Sequence, residues 1–137
     1  MARAFDPQGM MRPFGAFSQA AWQPPGQVLQ ISGQVSVDGE GNVVAPGDMG
    51  AQTRRTLENI GTVLAHAGGG FDDVVSVIVY VTELSELGAI HEVRREFFTP
   101  PYPASTLVEV TALVFPELLI EISAVAVIAD DRARLEA

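Results

Sequence analysis

The chain contains no cysteine and no lysine. The first absence excludes disulfides, thiolate metal sites and a thiol nucleophile together. The second excludes a side-chain Schiff base to a carbonyl substrate or to pyridoxal phosphate, because all eight basic residues are arginines. Positive charge is scarce as well: 17 acidic residues against 8 arginines leave a net charge of −9. Nucleic-acid affinity comes largely from Lys and Arg neutralising phosphates, so nucleic acid is not an expected partner. The acidic balance reads as a solubility feature. Histidines number two, His66 and His91, on separate predicted helices with no acidic partner at ligand spacing, so no metal is expected. His66, near the end of its helix, reads as a C-terminal helix cation or a solvated side chain. Gly68-Gly69-Gly70 follow a helix and precede a strand, the reverse of a phosphate loop or dinucleotide fingerprint, so no cofactor is expected either. Long hydrophobic runs are missing too. Val74–Val81 is far too short to span a bilayer, and Met1–Pro7 has no apolar export segment. The expectation is a cytoplasmic protein without a membrane partner.

What is present suits one domain over residues 1–137, with an irregular arm at 1–16 and a charged tail at 130–137. Counted with glycine and without tyrosine, roughly 55% of the chain is apolar, against about 45–50% for ordinary domains. A domain this apolar is expected to hide some surface in an oligomer. Phe17–Trp22 reads as a short strand and Pro24-Pro25-Gly26 as a turn. Val28–Val37 alternates as a strand, Asp38–Asn42 is a hairpin signal, and Val43-Val44 reads as a short strand after it. Asp48 is a candidate N-cap for a helix whose stripe is Leu57, Ile60, Leu64 and Ala67, stopped by the triple glycine. Val74–Val81 is β-branched and nearly all apolar, the pattern of a central strand covered on both faces. A second helix is predicted over Ser85–Phe98, halted by Pro100-Pro101, followed by strands at Thr106–Leu113 and Leu118–Ile128. This order predicts an α+β fold: a two-layer sandwich of two helices on one face of a mixed six-stranded sheet. The other face needs a second subunit to cover it.

Few residues stand out as chemical. Ser32 lies within a strand and not at a nucleophile elbow, and alone it reads as a structural serine. Arg94 falls inside the apolar stripe Leu87, Ile90, Phe97 and Phe98 of the second helix, with His91 one turn away at the edge. Either the arginine snorkels to water, or the pair is aimed into a pocket or interface. Glu109 and Glu121 stand among apolar neighbours in the last strands. Burying a carboxylate there is expensive unless it is hydrogen-bonded or functional, and an outward-facing position is the ordinary alternative.

Several separated motifs resemble one family. They are Gly15–Gln19 (GAFSQ), Ile31–Gln34 (ISGQ), Gln52–Ile60 (QTRRTLENI), Phe97-Phe98, Pro103–Val110 (PASTLVEV) and Ile120–Ala124 (IEISA). In order and spacing they are similar to the YjgF/RidA family, over roughly residues 13 to 128. That resemblance implies a chorismate-mutase-like fold assembled as a homotrimeric barrel, with small-molecule pockets between subunits. It also implies hydrolysis of reactive enamines and imines, such as 2-aminoacrylate, to 2-keto acids and ammonia. By the same resemblance Glu121 matches the glutamate that positions water, and Ser32, Gly33 and the backbone of Leu107 match groups that hold the amine end. The departures are specific. Ser105 stands where the family carries the arginine that grips the substrate carboxylate, Phe17 where a pocket tyrosine is frequent, and His91 where asparagine is usual. Losing a bidentate arginine–carboxylate contact costs on the order of 2–5 kcal/mol, so efficient deamination of small 2-imino acids is not expected. Either His91 and Arg94 supply positive charge from the helix, or the ligand has no carboxylate at that point, which Phe17 favours. A trimer that binds a small metabolite without chemistry is the alternative. The ribonuclease activity sometimes attached to the family sits badly with the charge.

Overall fold

The computed structural model describes residues 3–136. In chain order the elements are β1 (Arg3–Phe5), β2 (Ala20–Trp22), β3 (Gln27–Val35), α1 (Met49–His66), β4 (Val74–Val81), α2 (Leu87–Phe97), β5 (Ala104–Glu109) and β6 (Ile120–Ile128). Four strands form the main sheet in the order β3-β6-β4-β5, antiparallel except for the parallel β4–β5 pair. The sheet is mixed and carries both helices, as the element order predicts. The six strands are divided, however, because β1 and β2 pair with each other as a separate ribbon. Just before that ribbon, Ser18 makes an isolated parallel bridge to Ala104 at the main sheet's edge. The first strand lies in the arm expected to be irregular, and Val43 makes only an isolated bridge to Val37 in place of a strand.

Local chemistry sets the helix ends. Asp48 caps α1 by accepting from the Ala51 N–H at 3.0 Å. At the other end Gly68 takes φ +90°, a left-handed turn in which the Gly69 N–H returns to the Leu64 carbonyl at 2.8 Å. Leu57, Ile60 and Leu64 are fully buried against the sheet, each such side chain contributing about 1.5–3 kcal/mol. Because β4 and β5 are parallel, α2 is the crossover between them, and its Ile90 and Val93 join Leu57, Ile60 and Leu64 of α1 in one core on the same face of the sheet.

Alternation then sorts the sheet. Val77, Val79 and Val81 of β4 and Ile120, Ile122 and Ala124 of β6 face the helices and are buried. On the opposite face Ile78 is 40% exposed, so within one chain β4 is not covered on both sides as its composition suggests. The outer face is closed only at one end, where Ala21 of β2 packs on Val75 and Val127. Among the described residues no helix is long and apolar enough to cross a membrane.

Polar ties hold the loops to this frame. The C-terminal segment docks through Arg132, whose guanidinium donates to both oxygens of buried Asp73 at 2.9 and 3.1 Å. Burial opposes the charged form of Asp73, but Arg132 and the Gly70 N–H outweigh it and hold its pKa below the usual value. Gln52, fully buried in α1, donates through Nε2 to the carbonyls of Ala45 and Glu117, while its Oε1 accepts from the Leu119 N–H at 2.8 Å. One carboxamide thus secures the turn before α1 and the lead-in to β6. Replacing Gln52 with Leu leaves those three backbone groups unserved in a dry site. The expected loss is about 2–4 kcal/mol, read as a lower urea midpoint at unchanged slope. A change below about 0.5 kcal/mol would mean that water substitutes freely there.

Candidate functional site

The crossing of α2 over the edge strand β5 leaves a cleft, closed on its third side by residues 14–17 of the arm. It is lined by Phe14, Phe17, Leu84, Leu87, His91, Arg94, Ser105 and Leu107 and encloses about 270 Å³. Phe17, His91, Ser105 and Leu107, four of the residues singled out by sequence, therefore converge. Ser105 and Leu107 pair with Val77 and Val79 and so present their side chains to the helix layer.

The arm is fixed to α2 through His91, whose Nδ1 accepts the Ala16 N–H at 3.1 Å. Accepting at Nδ1 assigns the proton of the neutral ring to Nε2. Phe14 and Phe17 pack on the imidazole at centroid distances of 5.8 and 6.0 Å and on each other at 5.3 Å. Gly15 is required here because a Cβ would run into the ring. Burial, reinforced by Arg94 and Arg95, pushes the His91 pKa from 6.5 down to about 4. His91 is therefore a neutral wall of the pocket and supplies no charge.

Charge comes from Arg94, which does not snorkel. It is 1% exposed, and its Nη1 donates to the Ser105 Oγ at 3.2 Å. Burial lowers its pKa to about 10, which leaves it cationic at neutral pH. The position in β5 without an arginine is thus occupied by a hydroxyl that accepts from an arginine on α2. Of the two sources of positive charge considered from sequence, the helix provides one, and through Arg94 alone.

The remaining expected residues lie elsewhere. Glu121 is opposite Tyr80 and points away from the buried Ile120 and Ile122, onto the outer face of the sheet. The β3 register shifts between Ile31 and Gln34, so Ser32 and Gly33 form a bulge beside β6. The Glu121 carboxylate lies over Gly33 where a Cβ would otherwise sit. Ser32, Gly33 and Glu121 thus form a second group on the outer face. From β3 to β5 is three strand spacings, roughly 14 Å, and the pocket faces the opposite side of the sheet from Glu121. One chain does not bring the two groups around one small molecule. Glu109 is exposed on the edge strand. Phe14 and Leu84 were not singled out by sequence, because neither lies in a periodic segment. Leu87 was visible only as part of the α2 stripe. Among the described residues no three His, Asp or Glu side chains converge as metal ligands.

Known proteins resemble this chain over nearly its whole length. The family profile described as Endoribonuclease L-PSP matches residues 8–128. A RutC family protein of Pyrococcus abyssi is 37% identical over 115 residues, 84% of this chain and 88% of that one. The crystal structure of a protein of unknown function from Yersinia pestis, of the conserved Rid family, superposes with a TM-score of 0.86 at 38% identity, covering 93% of this chain and 98% of that one. RidA from an Antarctic Psychrobacter superposes with a TM-score of 0.70 at 33% identity, over 85% of this chain and 92% of that one.

The lowered pKa of His91 makes stability depend on pH. Between pH 6.5 and about 4 the unfolded chain binds a proton that the folded chain refuses, so this contribution falls as pH drops through that window and levels off below it. Relative to a His91→Asn variant, the protein is expected to lose on the order of 2 kcal/mol of unfolding free energy across the window. Denaturant titrations of both proteins at several pH values check this. Parallel curves would mean that His91 titrates as it does in an open chain.

Proposed function

This chain belongs to the Endoribonuclease L-PSP family, also written YjgF/RidA, and from that premise we propose that it is a hydrolase of small enamines or imines. The reaction runs at a pocket completed between subunits of a cytoplasmic homotrimer. The observation that carries this reading is the division of the site residues between two surfaces of one chain. Phe17, His91, Ser105 and Leu107 line the α2–β5 cleft. Ser32, Gly33 and Glu121 lie on the outer face of the sheet. Apposing the outer face of one subunit to the cleft of the next brings a carboxylate to the mouth of an apolar pocket, an arrangement neither surface has alone. The same apposition covers Val28, Ile78 and Val108, which are 40–45% exposed on that face.

In this reading the pocket residues hold the organic part of the ligand, the backbone at Ser32–Gly33 and at Leu107 holds the amine end, and Glu121 orients the attacking water. As an edge strand in the isolated chain, β5 has backbone groups free to take part. Ser105, in place of an arginine, changes which substrates are accepted. Ribonuclease activity, which the family's description evokes, is disfavoured by the net charge of −9 and the lack of lysine.

A second reading is favoured by one feature: among the described residues no carboxylate lines the cleft. In that case the trimer binds a small metabolite without turning it over. Ammonia release separates the two. Imines generated in situ by an amino-acid oxidase, 2-iminopropionate and bulkier homologues, are offered to the protein and to Glu121→Gln. The hydrolase reading expects turnover of at least one imine and a loss of about 100-fold or more in the variant, with the oligomer unchanged by sedimentation. Absence of ammonia release across the series, with Glu121→Gln altering ligand affinity at most, would establish the binding reading instead.

A further inference from the structure

Arg94 is unlike the two ion-paired arginines. Arg54 is paired with Glu96 and Arg132 with Asp73, each across a short charge-assisted contact. Arg94 is the most buried of these three, yet among the described residues its only hydrogen bond runs from Nη1 to a neutral hydroxyl and its buried Nη2 has no partner. A guanidinium withdrawn from water without a counter-charge costs several kcal/mol, which an anion brought to it offsets. Since the Ser105 Oγ accepts from Nη1, its own proton is free to donate. A cation and a hydroxyl donor therefore meet on one wall of the cleft.

The rest of the lining is neutral or apolar: Phe14, Phe17, Leu84, Leu87, Leu107 and the His91 ring. About 270 Å³ is the liquid volume of roughly nine waters, far more than a carboxylate alone fills. We propose that Arg94, assisted by Ser105, is the anion-recognition residue of this pocket, and that the ligand is a monocarboxylate of about ten non-hydrogen atoms with an aromatic or branched apolar side chain. The guanidinium takes the carboxylate, Ser105 donates to its second oxygen, and the side chain lies between Phe14, Phe17 and the leucines. A second anionic group finds no partner, because among the described residues Arg94 is the only charged one lining the cleft. This deepens the preceding reading by naming the ligand class, and rests on it only in using the same pocket.

The test is calorimetric titration with phenylacetate and with its neutral isostere phenylacetamide. The expected result is at least tenfold tighter binding of the acid. Arg94→Met is expected to abolish that preference, weakening acid binding about 100-fold while changing amide binding less than threefold. Equal binding of acid and amide by the natural protein, or an undiminished acid preference in Arg94→Met, overturns the proposal. Should Arg94→Met fail to fold, judged by circular dichroism, Arg94→Lys takes its place. It is expected to keep the acid preference at tenfold or more weaker affinity, and loss of the preference there overturns the proposal equally. No turnover enters this measurement. A protein that binds phenylacetate through Arg94 and releases no ammonia from any imine refutes the hydrolase reading alone, and an active hydrolase indifferent to the carboxylate refutes this proposal alone.

Discussion

Both helices cover the same face of the four-stranded sheet, and what each strand residue can do depends on which side of that sheet it takes. Toward the helices, β4 and β6 contribute Val77, Val79, Val81, Ile120, Ile122 and Ala124 to one closed core. Away from them the same strands present Ile78, Tyr80 and Glu121 to a face that the chain closes only near Ala21. Strand period 2 makes the division absolute: a residue cannot be moved to the other face without shifting the whole strand. Glu121 is therefore kept out of the core by the same alternation that buries its neighbours on either side.

The parallel β4–β5 pair carries the second consequence. A parallel connection requires a crossover, so α2 is laid over the sheet's edge and its inner stripe faces β5. Where the stripe is apolar it packs, and where it is Arg94 it meets Ser105. The arm then seals the remaining side through the Ala16–His91 hydrogen bond and the Phe14–Phe17–His91 cluster. The result is a cleft whose walls are hydrophobic and whose one charge is a cation with hydrogen-bonding capacity unused.

Much of this is legible along the chain. Asp48 and the glycines after His66 mark α1, the Leu57–Ile60–Leu64 stripe marks its buried face, and Pro100-Pro101 marks the end of α2. The motif from Gln52 to Ile60 marks residues whose roles are partly structural: Gln52 ties two loops together, and Asn59 donates to the carbonyls of Val35 and Val37. Arg94 was conspicuous as a charge within an apolar stripe, but its direction was not. A helix gives the angular position of a side chain, and only the neighbouring strand decides whether water or a hydroxyl lies at its tip. The Arg132–Asp73 pair was not legible at all, since its partners are separated by 59 residues with no shared period.

The sequence by itself determined the types of the two helices and the four main strands, the family, the lack of cysteine and lysine chemistry, and the acidic charge balance. These follow from local periodicity, composition and motif spacing, which are properties of the chain read in order. Only the tertiary structure decided that the six strands separate into a sheet and a ribbon, that His91 is neutral, that Arg94 stands behind Ser105, and that Glu121 lies on the far face from the cleft. Each of those depends on burial or on contact between segments distant in sequence, and desolvation and hydrogen-bond geometry have no value until the packing defines them.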